Sequence, residues 1–241
     1  MQIEAKRWLS ILLVIAALLM AGCMSQATTT SGYERQASNQ ENSNLPRLLG
    51  KATVEMMVEG KDSPIIINLD GTQAPITAGN FVDLVDRGVY DGLVFHRVVR
   101  EPQPFVVQGG DPQSKDPKFS PERLGTGSYI EPATSQARYI PLEITPQGSE
   151  EPVYSQTFKS ASISVKPVLK HTRGAVAMAR SPYPDSASSQ FYFCLADLPF
   201  LDGDYAVFGY VTEGMNVIDS IVQGDRIKSV RVVQGLEYLR K

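Results

Sequence analysis

Arg97 is a permanent cation set in an apolar run, "VFHRVV" (94–99), and a second apolar run, "FVVQGGD" (105–111), follows it with Gln108 near its end. A guanidinium stays charged at any working pH and offers its N–H donors in a rigid fork. Beside a reacting group it would stabilise negative charge that develops in a transition state. Its other fate is an ion pair with Glu101 or another acid. The remaining reactive residue types fit chemistry less well. His96 and His171 are the only histidines, and neither belongs to an H-E-x-x-H motif or a C-x-x-C cluster, so no zinc or iron site is expected. Serines crowd "DSASSQ" (185–190), but there is no G-x-S-x-G elbow and neither histidine is flanked by triad signals. The glycines of "QGGD" lack phosphate-loop context, so no nucleotide cofactor is implied. Cys194, inside "SQFYFCLA", reads as a buried and inert thiol.

These residues need strands to hold them. "TVEMMV" alternates Val54, Met56 and Val58 inward, and "PIIINL" follows after the turn-like "EGKDSP", which predicts a hairpin. "PITAGNFVDLVDRGVY" places Ile76, Phe81, Leu84 and Val85 near helical spacing, with Thr77 as the expected cap and Gly88 as the left-handed stop. Further strands are expected in "GLVFHRVV", "PFVVQGG", "GAVAMAR", "QFYFCLA", "YAVFGYV" and "KSVRVV". A second helix is expected at "MNVIDSIVQG", with Met215, Val217, Ile218, Ile221 and Val222 on its apolar face. Many short strands with two helices predict a mainly β fold, a closed antiparallel barrel with helices at its ends. Half of the 16 prolines fall between Asp111 and His171, so residues 112–170 read as a proline-rich loop insertion with one strand at "ARYIPLEI".

The N-terminal segment stands apart from that core. Lys6 and Arg7 precede "LSILLVIAALLMA", which has the length of a secretory signal and is short for a spanning helix. It ends in "LMAGC", which resembles a bacterial lipobox with Met20 at a position that usually holds Leu, Val or Ile. Residues 1–22 then read as a signal peptide and Cys23 as the lipidated N-terminus of an exported, membrane-anchored lipoprotein. Residues 23–49, rich in Ser, Thr, Asn and Gln, read as a flexible tether, and 50–241 as one domain. With 23 Lys and Arg against 26 Asp and Glu, a net charge of −3, no nucleic-acid partner is expected.

The motifs "VFHRVV", "FVVQGGD", "HTRGAVAMARSPYPDSASSQFYF" and "LPFLDGDYAVFGYVTEGMNVID", in that order, resemble the cyclophilin-type peptidyl-prolyl isomerases over nearly all of residues 51–241. The resemblance implies an eight-stranded closed antiparallel β-barrel capped by two α-helices, activity without metal or organic cofactor, and monomeric action on proline-containing polypeptides. It makes Arg97 the catalytic donor to the twisted amide. It puts Phe105, Val106, Tyr192, Phe200, Leu201 and Tyr205 around an apolar proline slot. Gln108 and Gln190 would hold substrate carbonyls or orient Arg97, and Ala179 and Arg180 would meet the extended backbone before the proline. Many members carry Trp at Phe200, His at Tyr205, Met at Val106, Phe at Tyr192 and Asn at Arg180; the first two differences imply weaker binding of cyclosporin-type inhibitors. A noncatalytic module that binds proline-containing segments through the same groove is the alternative. Arg97 and Phe105 are joined by a longer connection, "VVREPQP", than the common family form, which puts their mutual aim in question.

Overall fold

The computed structural model describes residues 44–241. The segment expected to be a signal peptide, Cys23 and most of the expected tether therefore lie outside the described residues. Eight strands form one sheet: β1 (Lys51–Val58), β2 (Ile65–Asp70), β3 (Arg97–Val98), β4 (Val106–Gly109), β5 (Ala175–Met178), β6 (Phe191–Cys194), β7 (Val207–Glu213) and β8 (Ile227–Gln234). Their order is β8-β1-β2-β7-β5-β6-β4-β3, and every pair is antiparallel. The expected closed barrel is corrected here: the ladder is an open half-barrel. Its two edges approach at a single bridge, Val94 to Arg226, because the chain before β3 leaves the strand conformation and "GLVFHRVV" supplies a two-residue strand.

Alternation explains β1 and β2. Ala52, Val54, Met56 and Val58 point inward from β1, and Ile65, Ile67 and Leu69 from β2, while their neighbours meet solvent. β5 and β6 are buried on every residue, so their sequences read as continuous apolar runs. One face of these strands joins the main core, where Phe81, Tyr90, Phe191, Phe193 and Phe208 pack ring against ring at centroid distances of 4.9 to 5.5 Å. The opposite face, Ala175, Ala177, Tyr192, Cys194, Val106 and Val207, forms a second apolar layer.

Helix α1 (Pro75–Asp86) buries Ile76, Phe81, Leu84 and Val85 as its periodicity requires. It stops through a double backbone turn, Val89 N–H to Leu84 O and Gly88 N–H to Val85 O, with Gly88 at φ +66°. Thr77 is not its cap. The helix begins at Pro75, and the free Ile76 and Thr77 N–H groups donate to the buried Glu143 carboxylate at 3.1 and 2.7 Å. Burial pushes the Glu143 carboxyl above its ordinary value, and these two backbone N–H bonds oppose that shift by favouring its charged form. Helix α2 (Met215–Ser220) is shorter than expected; Val217, Ile218 and Ile221 are buried, but Val222 is exposed and off the apolar face. The folded unit also begins earlier than residue 50. Arg47–Leu48 pairs with Leu239–Arg240 and Leu48 is fully buried, so residues 45–49 belong to the domain and not to the tether.

The 112–170 segment contains two short strand pairs, Ile130–Glu131 with Gln136–Ala137 and Glu143–Ile144 with Val153–Tyr154, in place of one strand at "ARYIPLEI". Besides Glu143, it is pinned to α1 by Arg138, which bonds Asp83 at 2.7 Å and also pairs with Glu131. Removing this buried acceptor leaves two N–H groups unpaired. Glu143→Ala is therefore expected to lower unfolding free energy by about 3 kcal/mol in urea denaturation; a change within the noise of a surface substitution would contradict the capping role.

Candidate active site

The longer connection leaves Arg97 in register. Arg97 pairs with Gln108 and Val98 with Val107 across β3 and β4, and the ladder runs on through Val99 N–H to Val106 O (2.9 Å) and Phe105 N–H to Val99 O (3.0 Å). The extra length therefore falls within residues 100–104, beyond the last pair. Arg100 ties that loop down by donating to Ile218 O and Ile221 O at the end of α2.

Arg97 forms no ion pair among the described residues, with Glu101 or with any other acid. Its guanidinium lies 5.4 Å from the centroid of the Phe105 ring and donates to Gln108 Oε1 at 3.4 Å. Gln108 Nε2 donates to Gln190 Oε1 at 3.2 Å, and Gln190 Nε2 donates to Gly127 O at 2.9 Å. The two glutamines thus form a chain that orients the cation, rather than satisfying buried sheet backbone. Two neighbouring strands place them: Gln108 sits opposite Tyr192 in the β4–β6 pair, and Gln190 immediately precedes β6.

A cavity of about 330 Å³ opens beside Arg97, lined by Phe105, Val106, Gln108, Ala179, Arg180, Tyr192, Leu201 and Tyr205. Nine of the eleven site residues named from the sequence, Arg97 included, meet there. Gln190 lines a larger neighbouring cavity of about 650 Å³, which shares Gln108, Ala179 and Arg180 with the first. Phe200 lines neither. It is 67% exposed and stacks on Phe105 at 6.1 Å, extending the rim. Sequence reading missed the wall of the larger cavity, Gly125 to Ser128. The buried Asp111 carboxylate draws it in by accepting from Gly125 N–H (2.6 Å) and Gly127 N–H (3.1 Å), and a Cβ at Gly127 would lie 2.1 Å from Asp111 Oδ1. The acid after "QGG" and the "GTG" triplet were its available signals.

Beneath the smaller cavity, the Tyr192 hydroxyl is not a free polar group. His171 is 2% exposed, and its Nδ1–H and backbone N–H both donate to Asp202 Oδ1 at 2.9 Å. A carboxylate only accepts, so the neutral ring presents Nε2 as an acceptor, and the Tyr192 hydroxyl donates to it at 3.0 Å. The cavity meets the ring of Tyr192 and not an unpaired hydroxyl. Ser186, Ser188 and Ser189 donate to Tyr183 O, Arg138 O and Gly110 O, and neither histidine bonds a serine among the described residues. Burial pushes the Cys194 thiol up to about 12, which leaves it unreactive.

Burial pulls His171 below its ordinary value despite Asp202, and burial does the same to His96. The unfolded chain takes up both protons on acidification while the folded domain resists, so stability is full above the unfolded value and falls as pH drops through it. Urea midpoints at about pH 7 and about pH 5.5 should show this loss; an unchanged midpoint would contradict buried neutral histidines. Tyr192→Phe should cost about 1 kcal/mol by removing one buried hydrogen bond.

Residues 53–237 match the family described as cyclophilin type peptidyl-prolyl cis-trans isomerase. A Synechocystis protein named for the thylakoid lumen and for peptidyl-prolyl cis-trans isomerase activity is 40% identical over 83% of this chain and 52% of its own length. The chloroplastic isomerase CYP38 of Arabidopsis thaliana is 40% identical over 83% of this chain and 46% of its own. The chain thus spans about half the length of these two relatives. A cyclophilin-type isomerase of Cryptosporidium parvum shares the fold with a TM-score of 0.55 at 23% identity, covering 76% of this chain and 98% of that one. With the strand order, the Arg97 register and the apolar cavity already in place, these likenesses put the chain in the cyclophilin-type peptidyl-prolyl cis-trans isomerase family.

Proposed function

We propose that the domain accelerates cis-trans isomerisation of X-Pro bonds in exported proteins, with Arg97 as the catalytic residue. Rotation about the bond breaks amide resonance, a barrier of about 18 to 20 kcal/mol, and no covalent bond changes. A catalyst needs no nucleophile or general base. It must hold the proline ring and favour the twisted state, in which the prolyl nitrogen becomes pyramidal and gains a lone pair. The observation that carries this reading is the Arg97 guanidinium, without an ion pair among the described residues and held by Gln108 at the edge of a cavity of about 330 Å³ that has apolar residues on part of its wall. Phe105, Val106, Tyr192 and Leu201 give the ring apolar walls, and the fixed donor stabilises the charge as it develops.

In a protease-coupled proline peptide assay, Arg97→Ala should lower kcat/KM about 100-fold. Arg97→Lys should also be impaired, because a point charge lacks the planar fork. Unchanged turnover in Arg97→Ala contradicts the mechanism. Peptide binding by the wild type without turnover would assign the groove to holding proline segments instead.

The lipobox-like "LMAGC" supports an anchored, extracytoplasmic location, and the lumenal and chloroplast names of the relatives agree with an exported or lumenal protein. Each buried acyl carbon contributes about 0.8 kcal/mol, so two or three chains on Cys23 hold the protein stably. The wild type should partition into detergent and carry the added acyl mass, and Cys23→Ser should do neither; equal partitioning contradicts the anchor.

A further inference from the structure

Arg180 sits where the two cavities meet and lines both. Its side chain is fixed: Nε and Nη2 donate to Asp204 O at 3.0 and 2.7 Å, and Nη1 donates to Ser181 O and Pro182 O at 2.9 and 3.2 Å. Its guanidinium also lies 4.6 Å from the Tyr205 ring centroid. Every one of these partners is neutral, and no carboxylate pairs with Arg180 among the described residues. Arg138, similarly half-buried, is neutralised by Asp83 and Glu131, whereas Arg100 and Arg226 also donate to backbone carbonyls but line neither cavity. Arg180 meets Asp204 through its backbone carbonyl and forms no salt bridge with its carboxylate, and two other acids near the groove are engaged elsewhere. Asp202 is taken by His171, and Asp185, on the larger cavity, accepts from Leu142 N–H. Arg97 adds a second unpaired cation on the smaller cavity.

A rigid, uncompensated cation at a groove rim attracts an anionic side chain without loss of side-chain freedom, since the arginine is already ordered. We infer that Arg180 makes this groove selective for proline-containing segments with an acidic residue beside the proline. The inference rests on the proposed reading of the groove as a proline site, and it adds the chemical class of segment that the groove prefers. Arg180 acts here as a specificity determinant and takes no part in amide rotation.

The test uses the full chain and fluorescently labelled peptides with Glu, Ala or Lys immediately before the proline, and a matched set with the change immediately after it. Affinity is read by anisotropy and turnover by exchange NMR. In at least one set, the Glu peptide should bind about fivefold tighter than the Lys peptide at low salt, and the gap should close at high salt. Arg180→Glu should reverse the order. Equal affinities for Glu and Lys peptides in the wild type at low salt, or the wild-type order persisting in Arg180→Glu, would overturn the inference. Turnover of all peptides without charge preference sinks this inference and leaves the proposed activity standing. A preserved binding order with no turnover of any peptide does the reverse.

Discussion

The site depends on one constraint: four neighbouring strands, β4, β6, β5 and β7, bury apolar residues on both faces. Period-two alternation sends Val107, Phe191, Phe193, Val176, Met178 and Phe208 into the main core, and Val106, Tyr192, Cys194, Ala175, Ala177 and Val207 into the opposite layer. Gln108 belongs to the second set, two residues on from Val106, and so faces the groove. A slip of one residue in the β4–β6 pairing would exchange the two faces, burying Gln108 and exposing core side chains. Core packing therefore fixes the register, and the register brings Arg97, Gln108 and Gln190 together. The groove inherits its geometry from the interior behind it.

Much of this was readable from sequence because it is local or ordered along the chain. The alternation of "TVEMMV", the helical spacing of Ile76, Phe81, Leu84 and Val85, and the left-handed stop at Gly88 each reflect a few adjacent residues. The proline-slot residues were readable because four motifs occur in a fixed order, each on its own strand or turn. What escaped was set by partners distant in sequence. The cap of α1 comes from Glu143, more than 60 residues away, and nothing near Thr77 announces it. The hydrogen-bond partner of the Tyr192 hydroxyl, His171, lies 21 residues away, and Asp202 holds that histidine in turn. Val222 fits a helical wheel, but α2 has already ended. Barrel closure failed for a related reason: an apolar run such as "GLVFHRVV" has strand composition, and only tertiary pairing decides how much of it forms a ladder.

The 112–170 segment and the long β3–β4 connection leave the sheet register intact. Residues 100–104 lie beyond the last backbone pair, where length changes cost little. The 112–170 segment is more than a linker. It reaches back to α1 through Glu143 and Arg138 and, through Asp111, supplies the Gly125–Ser128 wall of the larger cavity. Gly127 O then terminates the glutamine chain that begins at Arg97. This loop thus anchors the far end of the hydrogen bonds that hold Arg97, the proposed catalytic cation.

That aiming is the central claim, and Gln108→Leu tests it most directly, because leucine keeps the volume and removes both hydrogen bonds. Exchange NMR on a proline peptide, recorded without a coupling protease, gives the catalysed interconversion rate, and line broadening on the same samples gives affinity. The account predicts an interconversion rate about tenfold lower with peptide affinity nearly retained. A rate equal to that of the wild type would contradict it, since Arg97 would then need no partner to hold it in place.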